Sequence, residues 1–483
     1  MYEDIDIFEL AKFAIKIAEK NYSNYKCAEV FIGKSEYLNI EVEENSVKYS
    51  EIGRNHGISI RVYRKNGSIG FAFTNILKKN VVEKIVKNAI KMMRVGTPDP
   101  DFKNLPEKLK PYPVVEGLYD RSIKNLSIED AIEYVKDLIK TCTEDDQAIS
   151  QSGDFTANSN LSYVFNSNGV EVSGEETYFN ISSNMIVKDA INGEVSNGYE
   201  SQIRRKLVDI DGTKTAEEAL KNAKRNLHRK KIKTKKMQVI LSPRGTINLI
   251  LNPIASAINA ETYQYKRSFL VGKRGKKIGS DLINIDDNAL INGRVGSNIF
   301  DGEGFPCRNK KIIERGYFLQ SGLLHNSYTA GKEGVESTGN ASRSSFSSVP
   351  SIGISNLILH PGTAQKDDLI ENVKEGILLN STADSPNIAT GDFSGLISQG
   401  NLIQNGEIKH ALNETMFGIN LLELFENITS ISKEYKIYGP YSAPYVKIDN
   451  VQIIGAQSLK NWTILNSIFY RIIVLEEDPN DNK

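Results

Sequence analysis

The residues able to do chemistry are scattered along this chain. Five histidines, His56, His228, His325, His360 and His410, are so spaced that no two fall within one or two helical turns. Zinc hydrolysis needs at least three protein ligands and an open coordination position. The usual device is two histidines a few residues apart on a helix, with a neighbouring glutamate as base. Without it, a metal site has to be assembled from distant loops. Cys27, Cys142 and Cys307 form no CxxC pair, which leaves neither a zinc knuckle nor a redox dithiol. Cys307 follows Pro306 and is a candidate thiolate, but nothing beside it in sequence lowers its pKa strongly. His325 or His360 could approach the serine-rich segment 342–348, which lacks the Gly-x-Ser-x-Gly elbow and reads as a polar loop.

Asp286, Asp287, Asp301, Glu303 and Asp392 stand near glycines and would suit Ca²⁺ or Mg²⁺. They follow no EF-hand spacing, and Asx-turns or hairpin ends account for the same residues. Gly331-Lys332-Glu333-Gly334 lacks the Gly-Lys-Ser/Thr ending of a phosphate loop. What remains is a series of glycine-marked polar corners, between short apolar runs such as Asn356–Leu359 and Gly376–Leu379. The corners are Asp301–Pro306, His325–Ala330, Ser337–Ala341 and Thr390–Ser394. Gly, Asn, Asp and Ser supply the positive φ and local hydrogen bonds of tight turns. Strands punctuated this often indicate a sandwich or barrel.

The elements that must hold these corners are periodic. Ile5–Asn21 and Asn75–Arg94 have helical spacing, and between them lie strand-like runs at 27–32, 37–42, 57–63 and 70–74. Lys65-Asn66-Gly67-Ser68 marks a hairpin. Five prolines between Thr97 and Pro113 read as an extended linker. The plan then repeats. Ser127 caps a helix with Glu129 and Asp130 in its first turn, strands follow between 160 and 200, and Thr213–Leu227 is helical. Asn166–Gly169 marks a turn. After the strand Met237–Leu241, a helix starts at Ser242-Pro243, with a break or kink expected at Asn252-Pro253. The expected fold is α+β. A helix–antiparallel sheet–helix domain (1–96) and a linker (97–116) precede a similar central domain (117–232) and a β-rich C-terminal domain (233–483).

Lys plus Arg equals Asp plus Glu at 60 each, so no global field favours nucleic acid or an anionic membrane. The run Arg225–Lys236 is basic, but no aromatic interleaves it as a stacking platform requires. It reads as a solvated helix end and linker, and nucleic acid is not an expected partner. An acidic start at Met1–Phe8 without an apolar core, and sparse cysteines, suggest the cytoplasm. No apolar stretch approaches the ~18 residues of a membrane span. Ile464–Leu475 reads as a buried strand or helix.

Read in order, the corners resemble the TldD/PmbA family, also called modulators of DNA gyrase. The resembling string runs Phe300–Pro306, Glu314-Arg315-Gly316, Leu324–Ala330, Ser337–Ala341, Ser355-Asn356-Leu357, Gly391–Ser394, Asn405–Ile408 and Phe417–Asn420. It covers roughly 242–455, and the two earlier units look like the family's first and central domains in pattern only. One kind of family subunit is similar to a zinc metalloprotease. It carries a His-Glu-x-x-x-His helix after the first C-terminal strand, and a cysteine near the end of that domain. The other, TldE or PmbA kind lacks the motif and pairs with the first. Here the corresponding helix, 246–254, reads Thr-Ile-Asn-Leu-Ile-Leu-Asn-Pro-Ile, and the last cysteine is Cys307.

The resemblance therefore implies a TldE-like subunit with no catalytic, metal or cofactor residue of its own. It implies a TldD-like partner that carries the zinc, and a shared chamber that admits peptide or unfolded polypeptide. Residues Asn326, Ser327 and Tyr328, then Thr338, Gly339 and Asn340, then Gly391, Asp392, Phe393 and Ser394 are candidates to face partner or peptide. Fold maintenance explains the same residues. Two alternatives stay open: a metal-dependent peptidase with an unrecognised site, and a homodimeric peptide- or protein-binding module.

Overall fold

The structure is a computed structural model that describes residues 6–20, 24–108 and 111–455. The tail reading at Ile464–Leu475 lies outside the described residues, as do the first five residues and the end of the C-terminal domain. Four α-helices and six strands come first among the described residues. The helices are α1 (Ile7–Lys20), α2 (Lys79–Val95), α3 (Ile128–Thr143) and α4 (Gly212–Arg225). The strands are β1 (Tyr25–Glu43), β2 (Ser46–Arg64), β3 (Ile69–Thr74), β4 (Ala148–Asn166), β5 (Glu171–Lys188) and β6 (Val195–Arg204). Helix α3 starts as its sequence dictates. Ser127 accepts the Asp130 N–H, and the Asp130 carboxylate accepts the Ser127 N–H, a complete capping box.

The two helix–sheet–helix units are not separate sheets. All six strands form one sheet in the order β3-β2-β1-β4-β5-β6. The join is the β1–β4 pairing, antiparallel from Glu29↔Asn166 to Val42↔Gly153. Nor does β1 break between residues 33 and 36. Its pairing with β2 runs through Lys34↔His56 and Ser35↔Asn55, and the chain turns at Glu44-Asn45, with φ of 51° and 63°. Two positive-φ residues make the hairpin turn that suits twisted strands. Neither is glycine, so the turn carries little signal in the sequence. The turns at Gly67 (φ 85°) and Gly169 (φ 91°) stand where the sequence places them.

Strand alternation then sorts the side chains. Ala28, Val30 and Ile32 of β1 pack under α1 and α2, while Leu38, Ile40 and Val42 pack under α3 and α4. All four helices thus cover one face. The other face presents Glu29 and Phe31 to the C-terminal domain, and Phe31 packs with Val164 and Phe300. Residues 97–108 and 111–113, within the expected linker, have no helix or strand and lie as a fixed strap rather than a free tether. Phe102 stacks on Tyr63 with centroids 3.8 Å apart, Leu105 is buried, and the Tyr112 hydroxyl donates to the Gly304 carbonyl.

The C-terminal domain is built on a closed barrel. Strands Lys235–Leu241, Glu375–Thr382, Asp392–Gln404, Thr415–Asn420 and Tyr441–Gly455 pair in a ring, and the last closes on the first. Closure removes the exposed edges of a five-stranded sheet. Shorter strands at Leu357–Leu359, Ile285–Asn288 and Asn309–Glu314 continue the sheet outwards from the barrel. The helix after the first barrel strand begins as predicted, with Ser242 accepting the Gly245 N–H and Pro243 at the first position. Of the break or kink expected at Asn252-Pro253, the helix shows no break but a local disturbance. A π-turn over Ile247–Leu251 precedes the proline, and the helix continues through Ala257. A widened turn takes up the missing N–H and the ring without ending the helix.

Candidate functional site

The corners Asp301–Pro306 and Ser337–Ala341 meet at the junction between the six-stranded sheet and the C-terminal domain, around a cavity of about 220 Å³. Asp301 builds the first. One carboxylate oxygen accepts the Glu303 and Phe305 N–H groups at 2.9 Å each, and the other accepts the Ala341 N–H at 2.9 Å. Gly304 has φ of 76°, and a Cβ there would lie 2.5 Å from Val170 Cγ1. Glycine is required on both counts.

Glu303 projects from this turn into a buried charge cluster. Arg61 of β2 donates to Glu29 of β1 at 3.0 and 2.6 Å, and to Glu303 at 2.9 Å. Arg343 also donates to Glu29. The other Glu303 oxygen accepts the Ser327 N–H at 2.8 Å. All four side chains are 7% exposed or less. Two guanidinium groups and two carboxylates balance, which is the condition under which buried charge is tolerated. Burial alone would raise the Glu303 carboxyl, but Arg61 and the Ser327 N–H reverse this and hold it below the usual range. Asp301 lacks such a cation, and burial together with Glu303 pushes it up to about 7.

A second network sits beside the first. The Asn340 amide donates to Asp287 and to the Gly353 carbonyl, both at 2.9 Å, and its oxygen accepts from Thr338 at 2.7 Å and Lys310 at 3.0 Å. Lys310 also lies 2.9 Å from Asp287. Asn326 caps the helix Ser327–Glu333 by accepting the Thr329 N–H, and Tyr328 packs on the strap beside Phe102 and Leu105. His325 is buried, which holds its imidazole below its ordinary pKa. Its Nδ1 lies 3.2 Å from the Thr329 hydroxyl. Cys307 is buried too, and burial pushes its thiol well up, away from thiolate chemistry.

The candidate corner residues therefore divide. Asn326, Ser327, Thr338 and Asn340 gather at this junction through the bonds just described, Gly339 lines its cavity and Tyr328 packs beside it. Gly391, Asp392, Phe393 and Ser394 belong to a different place. They start a barrel strand, where Gly391 has φ of 81°, Asp392 accepts from Asn420 at 2.8 Å, Phe393 is in the barrel core and Ser394 is exposed. The carboxylates near glycines do not converge either. Asp286 lies 3.1 Å from His360, Asp287 takes Lys310, and Asp301 organises its own turn. Among the described residues no group of three His, Cys, Asp or Glu side chains could hold a metal ion.

The helix from Pro243 to Ala257 is equally unsuited to zinc. Ile247, Leu249, Ile250, Leu251 and Ile254 are buried in the barrel core, and Thr246 donates to the Pro444 carbonyl at 2.9 Å. None of these is a zinc donor, so the residues present do not fit that metal. Part of the basic run after α4 is tied down. Arg229 pairs with Glu194 at 2.9 Å, Lys231 with Glu414 at 2.7 Å, and Lys235 with Glu375. Sequence reasoning missed Glu29, Arg61 and Arg343, since nothing local distinguishes an in-facing charge on a strand from an exposed one.

The fold is thus a helix-backed antiparallel sheet docked on a C-terminal barrel, the architecture of a class of metallopeptidase-related proteins. Models of PmbA/TldA metallopeptidase domain 1, central domain and C-terminal domain match residues 28–93, 121–227 and 234–455. An uncharacterised protein of Methanocaldococcus jannaschii is 30% identical, over 88% of this chain and 96% of its own. A candidate modulator of DNA gyrase from Bacteroides thetaiotaomicron has a crystal structure with TM-score 0.82 and 25% identity, covering 94% of this chain and all of its own. TldE from Thermococcus kodakarensis shares the fold with TM-score 0.82 and 24% identity, over 92% of this chain and 100% of its own. This chain belongs to the PmbA/TldD family.

Proposed function

We propose that this chain is a non-catalytic, TldE-like subunit that pairs with a TldD-like zinc metalloprotease and helps it to process peptides or unfolded polypeptides. The observation that carries this reading is the helix Pro243–Ala257. At the place where the resembling protease subunit carries its metal-binding motif, this chain turns isoleucine and leucine into a barrel core. A zinc site needs deprotonated donors aimed at one point, and aliphatic side chains supply none. The corner residues at the junction support a rigid wall, because their polar atoms are occupied within the fold.

The test is purification of this chain alone and together with a TldD-like subunit from the same cells, with metal analysis, native mass spectrometry and a peptidase assay. The expected outcome is a mixed complex whose zinc and activity follow the partner, and no chelator-sensitive cleavage by this chain alone. Stoichiometric zinc and chelator-sensitive cleavage by the isolated chain would overturn the reading and favour an independent peptidase. Recovery as a homodimer without any such partner would favour the binding-module alternative.

A further inference from the structure

A second cleft lies away from the corner junction, where β6 and α4 face the barrel at the start of the Pro243–Ala257 helix. It holds a cavity of about 180 Å³. Its wall carries five cations: Lys221 and Arg225 from α4, then Arg244, Lys366 and Lys436 from the C-terminal domain. Only two carboxylates, Glu200 and Glu218, line the same space. Both are already engaged. Glu200 pairs with Arg244 and accepts the Tyr438 hydroxyl at 3.2 Å. Glu218 lies 3.3 Å from Lys436 and 3.9 Å from Lys221. Burial would raise the Glu218 carboxyl, yet Lys436, Lys221 and Arg225 together hold it below its ordinary value. Lys366 sits 3.8 Å from the exposed Asp367. Arg225 has no ion pair among the described residues.

Like charges gathered in a partly desolvated space repel unless an anion joins them. Arg244 adds a second observation. It lies over the Tyr438 ring at 4.2 Å and faces Tyr199 at 5.3 Å, and its buried Nε finds no acceptor among the described residues. Arg244, Asn380 and Tyr438 also line an adjoining cavity of about 240 Å³, so the two spaces meet across the guanidinium. The aromatic rings are not free for bases. Arg244 covers Tyr438, and Lys366 lies over Tyr445 at 5.6 Å. A nucleic acid would therefore find cations without stacking faces. The half-exposed amides of Asn222 and Asn380 donate to the Tyr199 carbonyl at 3.3 Å and to Gln399 at 2.8 Å, and each amide nitrogen keeps a second N–H for a peptide carbonyl.

We propose that this cleft binds an acidic segment of polypeptide, whose side-chain carboxylates are held by Arg225, Lys221 and Arg244. The ligand class rests on the polypeptide-handling reading above; the anion preference rests on the cleft alone. The test is fluorescence anisotropy on the full chain with a labelled Glu/Asp-rich peptide and its Gln/Asn counterpart. The acidic peptide is expected to bind, more weakly as salt is added, and the amide peptide is not. The double variant Lys221→Gln/Arg225→Gln is expected to lose ~10-fold or more in affinity, as when a charge-assisted contact is removed. A distal double variant on α2, Lys84→Gln/Lys91→Gln, should bind as the wild type does, and Arg225→Lys should retain most of the affinity. Equal binding of both peptides, or no loss in the Lys221/Arg225 variant, would overturn the proposal. Tighter binding of single-stranded nucleic acid, or full displacement by inorganic phosphate at low concentration, would reassign the cleft to phosphate ligands. If acidic peptide fails to bind while the zinc-bearing partner still co-purifies, this inference falls and the subunit reading stands. If the isolated chain proves to be a zinc peptidase, the subunit reading falls whatever the peptide does.

Discussion

The corner junction and the cation-rich cleft are both polar contacts between the sheet and the C-terminal domain, yet they are built on opposite principles. At the junction, Glu29, Arg61, Glu303 and Arg343 balance in number and are almost wholly buried, and each carboxylate has more than one donor. In the cleft, cations outnumber carboxylates, Arg225 has no ion pair among the described residues, and Lys221 is 62% exposed. A satisfied network holds parts together, whereas a surplus of one sign is available to something else. Polarity at an interface says little until the charges are counted and their partners named.

That contrast breaks first if Arg61 is removed. Arg61→Ala leaves Glu29 and Glu303 buried without their main counter-charge, and is expected to cost about 3–5 kcal/mol. Urea unfolding measures it, and a loss below 1 kcal/mol, at the level of an exposed pair, would remove the distinction between the two regions. Asn340→Ala comes next. It strips Asp287, Lys310 and Thr338 of one partner each, for about 1–3 kcal/mol in the same assay.

Asp301 sharpens the comparison through pH. Its folded pKa of about 7 lies above its ordinary value of 3.8, so the folded chain keeps a proton that the unfolded chain gives up. The resulting stability is fully present below the unfolded pKa and is lost as pH rises through the folded one. Wild type should therefore lose stability relative to Asp301→Asn between about pH 4 and pH 7, and a flat difference would place the carboxylate outside the desolvated junction. The smallest stability effect belongs to the cleft. Lys221→Gln/Arg225→Gln should move the unfolding midpoint by no more than about 0.5 kcal/mol, because no satisfied pair of the core is broken. A large loss there would make the cleft a structural clamp like the junction.

Much of the local architecture was legible before any coordinates. Ser127 with Asp130, Ser242 with Pro243, and the turns at Gly67 and Gly169 depend on contacts within four residues, so residue type alone marks them. The hairpin at Glu44-Asn45 was not legible, because its positive φ falls on residues that serve many other roles. The corners were readable as turns and as family wording. Their burial was not, because exposed and buried Asn or Asp look alike in a sequence. Gly391–Ser394 shared the wording of the junction corners but lies at a barrel strand, since order along a chain does not set proximity.

By itself, then, the sequence determined helices α1 to α4, the turns at Gly67 and Gly169, the α+β class, the family and the absence of a zinc motif on the Thr246–Ile254 helix. These follow from local backbone chemistry and from residue identity. Tertiary structure decided the rest. It merged two units into one sheet through β1 and β4, closed the barrel between Lys235–Leu241 and Tyr441–Gly455, and brought Arg343 to Glu29 across 314 residues. It also gathered five cations from two domains around two carboxylates. Such contacts arise from burial and charge summed over distant segments, and no window of neighbouring residues contains that sum.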